Sequence, residues 1–149
     1  MLWVVDTSVL LDIALGDPEF GKASAKVLEK KRKVGLAVSP ISEIELSPQF
    51  AGSLLEVRRF LTFCDVSHSG VKPSLNWSEE DTQISAELWN DYIAARRAKQ
   101  KNHTQPLKRP IADLLILGFA MRFGGLISRD RDYGWFNMTQ SRKIEILKI

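Results

Sequence analysis

The chain has 149 residues, 44% hydrophobic and 26% charged, with a net charge of +3, two histidines and a single cysteine. That length predicts one domain over residues 1–149, able to bury roughly 70% of its unfolded surface without a disulfide or structural metal. A lone thiol, Cys64, excludes a disulfide framework and fits a reducing cytoplasm; the longest apolar run, 114–121, is eight residues, far short of the 18 or so that span a membrane. The N-terminus has no basic n-region or long apolar h-region, and Asp6 interrupts it, so no signal peptide is expected.

In chain order, "LWVVD" predicts a short buried strand, followed by an apolar helix through Leu15 that stops at Gly16-Asp17-Pro18. "PEFGKASAKVLEKKRK" places Phe20, Ala23, Val27 and Leu28 on roughly one helical face and ends in basic residues, as suits a helix C-terminus. "GLAVS" predicts a second buried strand, and "PISEIELS" a helix with Pro40 at its first position. "SLLEVRRFLTF" is amphipathic, and "SHSGVKPSLN" reads as a loop. Ser78 followed by Glu79, Glu80 and Asp81 opens a helix that runs to about Lys99. After the loop "QKNHTQPLKRP", Pro110 opens the helix "IADLLILGFAMRF", closed by Gly124-Gly125. "LIS" and "KIEILKI" complete a set of short strands alternating with helices. This pattern predicts an α/β fold on a mostly parallel sheet of about four or five strands.

Ligands of such sheets bind at the C-terminal ends of the strands. Asp6 ends the first strand, Asp130 follows the third, and Glu43 and Glu45 lie just past the second. Asp113 stands in the first turn of a helix apolar on every face, predicted to be buried all round, where a carboxylate is costly unless paired or metal-bound. Each acid also has an ordinary reading: Asp6 as a helix cap, Asp113 as a complement to the helix dipole, Glu45 as the partner of Ser42 in a capping box. Four acids converging on one edge point elsewhere. Oxygen-only ligands favour Mg²⁺ or Mn²⁺, and such a centre suits phosphoryl transfer to water.

On the stretches "VVDTSVLLDI", "LAVSPISEIEL", "PIADLLILGFA" and "LISRDRDY", in that order and spacing, the chain resembles PIN-domain proteins, metal-dependent ribonucleases that include the VapC toxins of toxin–antitoxin pairs. The resemblance implies a three-layer α/β/α domain. It implies an acidic quartet of Asp6, Glu45, Asp113 and Asp130, with Asp132 as a further metal-binding acid. Glu45 is preferred to Glu43 because the family's acid directly precedes a leucine. Ser8 and Ser128 match hydroxyl positions beside the acids. A homodimer, an RNA substrate and a cognate antitoxin are implied in the same way.

The segment before Asp113 departs from compact relatives. From Arg96 to Arg109 it carries Arg96, Arg97, Lys99, Lys101, Lys108 and Arg109, with His103 and no acid. A solvated helix end and loop is the ordinary account; in a nuclease the run is also a phosphate-binding arm. Arg129 and Arg131 flank Asp130 and could hold a phosphate or neutralise the acids. Of Trp77, Trp89 and Trp135, Trp135 is the better candidate for stacking on a base, while Trp89 has core spacing. Neither histidine is given a catalytic role. These readings lead to a Mg²⁺/Mn²⁺-dependent endoribonuclease of a toxin–antitoxin pair. The alternatives are a non-catalytic RNA-binding or protein-interaction module on the same fold and, last, an aspartyl phosphatase. The phosphatase usually wants a second Asp where this chain has Ser8.

Overall fold

The computed structural model describes residues 1–99, 110–129 and 144–149. Five strands form one wholly parallel sheet in the order β3-β2-β1-β4-β5. They are β1 (Trp3–Val5), β2 (Leu36–Ala37), β3 (Val66–Ser67), β4 (Gly125–Ser128) and β5 (Glu145–Lys148). Among the described residues six α-helices accompany them: α1 (Thr7–Ala14), α2 (Gly21–Lys31), α3 (Pro40–Leu46), α4 (Leu54–Phe63), α5 (Glu79–Lys99) and α6 (Ile111–Ala120).

Alternation along the strands divides the core in two. Val4, Ala37 and Leu126 point to one face, where they meet Ile84, Leu88 and Tyr92 of α5 and Leu114, Leu117 and Phe119 of α6. Trp3, Val5, Leu36, Val66 and Ile127 point to the other, against Val9 and Leu10 of α1, Leu28 of α2 and Val57 and Leu61 of α4. The result is a three-layer α/β/α sandwich. Gly125 allows the closest approach in the sheet, since a Cβ there would collide with the Trp3 ring and the Glu145 carbonyl. Gly118 does the same between helices, where a Cβ would strike Ser85 of α5.

Capping residues set the helix starts. Ser39 caps α3 by accepting from the Ser42 N–H, with Pro40 at the first helical position. Ser78 and Asp81 cap α5 reciprocally: the Ser78 hydroxyl accepts from the Asp81 N–H and the Asp81 carboxylate from the Ser78 N–H. Ser42 therefore lies inside α3, and its proposed capping box with Glu45 does not form.

Two further expectations change. β3 is absent from the sequence pattern because two residues carry no alternation, and Ser67 opens a stretch that predicts a loop. The helix α6 stops at Ala120 and is not buried all round: Ile111 is 53% exposed and Ala112, Asp113 and Leu115 are half-buried. In its first turn Leu114 alone is buried, while the stretch from Ile116 to Ala120 is enclosed throughout.

Candidate functional site

The chain passes from β1 to β2 and β3 on one side, then to β4 and β5 on the other. The direction therefore reverses between β1 and β4, and a crevice opens there at the C-terminal strand ends. Asp6 occupies that point, immediately after β1 and 3% exposed. It holds the N-cap position of α1, yet its side chain makes no cap hydrogen bond. Instead Asp6 Oδ2 accepts from Ser8 Oγ at 2.8 Å and from Ser128 Oγ, at the end of β4, also at 2.8 Å. The cap reading of Asp6 is thereby set aside. The two serines singled out in the sequence both touch the acid.

Thr7 extends the cluster to α3. Its Oγ1 donates to Glu45 Oε1 at 2.6 Å and lies 3.0 Å from Ser42 Oγ. Glu45 is exposed at its own position and reaches the Asp6 side of the helix through this contact. Glu43 is buried and turns away to Arg58 of α4, with Nη2 to Oε2 at 3.2 Å. Asp113 stands half-buried in the first turn of α6, the helix that packs against α3 and α5.

Another buried acid, Asp12, escaped the sequence reading. Arg129 Nε and Nη2 donate to its two oxygens at 2.7 and 2.9 Å, and Ser24 Oγ of α2 adds a bond at 3.0 Å. The guanidinium also sits 4.4 Å from the Phe20 ring centroid. Hydrogen bonding to Asp12 pushes the Arg129 pKa further up, so it stays charged. The signal was present in the sequence: Asp12 is a lone acid in the apolar run "LLDIAL". Together with the Arg129 N–H to Ser8 Oγ contact of 3.4 Å, the ion pair straps the chain leaving β4 onto α1.

The family model of the PIN domain matches residues 3–137. The chain belongs to the PIN-domain family. No curated protein matches it. Among solved structures, a chain of VapBC2 from Rickettsia felis, bound to a DNA fragment from their promoter, is similar over 98% of each chain, with a TM-score of 0.65 and 16% identity. At that identity the likeness is one of fold.

In this PIN domain Asp6, Glu45 and Asp113 offer oxygen donors only, the chemistry of a hard divalent ion. Among the described residues no three His, Cys, Asp or Glu side chains gather into a group able to hold a metal. Asp130 and Asp132 lie outside the described residues, as do Lys101, His103, Lys108, Arg109, Arg131 and Trp135. Of the basic arm, Arg96 lies over the Tyr92 ring at 5.4 Å, Arg97 is exposed, and Lys99 is the last residue of α5. Trp89 is half-buried against the core beside Tyr92, as its spacing predicts. No helix among the described residues is long and apolar enough to cross a membrane.

Proposed function

We propose that residues 1–149 form a single catalytic unit, a metal-dependent endoribonuclease acting as the toxin of a toxin–antitoxin pair. The observation that carries this reading is Asp6, a buried carboxylate at the reversal point of a PIN-domain sheet, aimed by two serines and joined through Thr7 to Glu45. Asp6, Glu45, Asp113 and Asp130, with Asp132 beside them, are the residues that would hold Mg²⁺ or Mn²⁺. Such an ion supplies positive charge to the scissile phosphate and favours deprotonation of the attacking water.

The chain's own residues orient that chemistry. Ser8 and Ser128 fix the direction of the Asp6 carboxylate, and Thr7 fixes Glu45, which serves as ligand or as the base that orients water. The basic residues Arg96, Arg97, Lys99, Lys101, Lys108, Arg109 and Arg131 are the candidates for holding the RNA backbone. Arg129 has a second engagement with Asp12 and contributes to this surface only with the charge it retains. The fold likeness to a chain of a VapBC2 complex supports pairing with an antitoxin; a homodimeric toxin in the cytoplasm belongs to the same proposal.

The alternative is a non-catalytic RNA-binding or protein-interaction module on the same fold. Incubating the purified chain with a mixed RNA pool and Mg²⁺ or Mn²⁺ separates the two. Cleavage abolished by EDTA and by Asp6→Asn is the expected result. A folded, metal-loaded chain that leaves the pool intact would favour the module or a substrate narrower than the pool.

A further inference from the structure

Two residues before Glu45, Glu43 points to the opposite side of α3, as about 100° of rotation per residue requires. It is 5% exposed. Arg58 Nη2 bridges Glu43 Oε2 and Ser69 Oγ, each at 3.2 Å. The pair is incomplete: Glu43 Oε1 and Arg58 Nε are both buried and have no hydrogen-bond partner among the described residues. A buried unmet acceptor and a buried unmet donor are costly, and each asks for an explanation.

Both side chains line a cavity of about 660 Å³, together with Ser69, Asn76 and Trp77. That volume lies within the range of roughly 300–1,000 Å³ typical of small-ligand sites. Trp77 is anchored by its indole N–H, which donates to Thr82 Oγ1 at 2.8 Å. Pro40 follows β2 and Ser69 follows β3, so the cavity opens on the same sheet edge as Asp6. Only α3 separates the two, since Ser42, next to Glu43, touches Thr7.

Resting on the ribonuclease reading, we propose that this cavity takes one unstacked base of single-stranded RNA, with guanine preferred, held against Trp77 between Glu43 and Arg58. Aromatic walls accept the flat faces of unstacked bases, and sequence in single strands is read along the base edges. A carboxylate oxygen beside a guanidinium calls for a ligand that sets N–H donors beside an acceptor oxygen. Guanine does so most fully, with N1–H and N2–H for Glu43 and O6 for Arg58. Uracil offers one such donor, and adenine and cytosine set only a ring nitrogen beside their amine.

The test uses labelled RNA octamers: all-uridine, or uridine with one central G, A or C. Binding is read by fluorescence anisotropy with Mg²⁺, in the Asp6→Asn chain so that no strand is cut. The G octamer is expected to bind about 10-fold tighter than all-uridine. Glu43→Gln, which keeps the shape of the side chain, is expected to erase that preference and leave all-uridine binding unchanged. Arg58→Lys provides a second route to the same loss if Glu43→Gln does not fold. Equal binding of all four octamers, no binding at all, or a preference that survives both substitutions overturns the proposal. So does displacement of the G octamer by an equal concentration of guanosine monophosphate, which would mark a free-nucleotide site. A missing cleavage activity in the unsubstituted chain, with the G preference intact and dependent on Glu43, would sink the nuclease reading while sparing the pocket.

Discussion

At one end of α1, Asp6 accepts hydrogen bonds from two serine hydroxyls; at the other, Asp12 accepts a bidentate guanidinium and a third serine. Both carboxylates are 3% exposed. Hydroxyl donors fix the direction of a carboxylate and leave its charge in place, whereas a guanidinium supplies the opposite charge as well. The first arrangement suits an acid whose charge is to be used. The second suits one that joins two parts of the chain, here α1 and the residue leaving β4. Burial alone therefore does not mark a functional acid; the chemistry of its donors does.

The widest separation between the two ends comes from exchanging each acid. Asp6→Asn is expected to lower RNA cleavage by at least about 100-fold while leaving the melting temperature nearly unchanged, because the amide still meets both hydroxyls. Equal loss of activity and stability would erase the distinction. Asp12→Ala is expected to do the reverse in part. It leaves Arg129 facing an unfilled site and costs about 2–3 kcal/mol in denaturant unfolding, a figure kept low because the arginine side chain is one-third exposed. A stability change near zero would show that the ion pair holds nothing.

A finer cut is Ser128→Ala, which removes one of the two donors on Asp6 Oδ2. Cleavage is expected to fall about 10-fold, with a smaller change in KM than in kcat, since one hydrogen bond to a charged carboxylate contributes about 1.5 kcal/mol. The smallest effect concerns the histidine beside Glu43. His68 is buried beside Glu43 and Arg58, and accepts from the Gly70 N–H through Nδ1. Burial first, and Arg58 second, hold its pKa below the ordinary histidine value of 6.5, with Glu43 pulling the other way. The unfolded chain thus takes up its proton first as the pH falls. Stability contributed by His68 is complete above about pH 6.5, declines as the pH drops through the folded value, and changes no further below it. A shallower pH dependence of the denaturation midpoint in His68→Asn would confirm the sign.

Much of this was legible in the sequence because strong local signals agree with the fold. The cap at Ser78, Pro40 at a helix start, and apolar strands ending in acids or serines each encode one physical event. The hydroxyls of Ser8 and Ser128 were placed by the family resemblance alone, two residues after Asp6 and two before Asp130. What escaped depends on pairings distant in the chain. β3 exists only because β2 lies beside it, and Asp12 acquires meaning from Arg129, 117 residues away. The Thr7–Glu45 contact was hidden for a like reason, since it needs the angle between α1 and α3. The overestimate of burial for α6 came from composition, which records that a helix is apolar and not which turn of it has a neighbour.

The bond between Ser128 and Asp6 spans 122 positions of sequence. A ribosome making this chain releases the first strand long before the fourth, and until β4 docks beside β1 the carboxylate lacks one of its two serine donors. The timing has a protective side. On the ribonuclease reading, the chain emerges surrounded by ribosomal and messenger RNA, and a site closed by its late residues remains unassembled for most of its own synthesis. The long-range contacts that make such a sheet slow to form also delay its first cut.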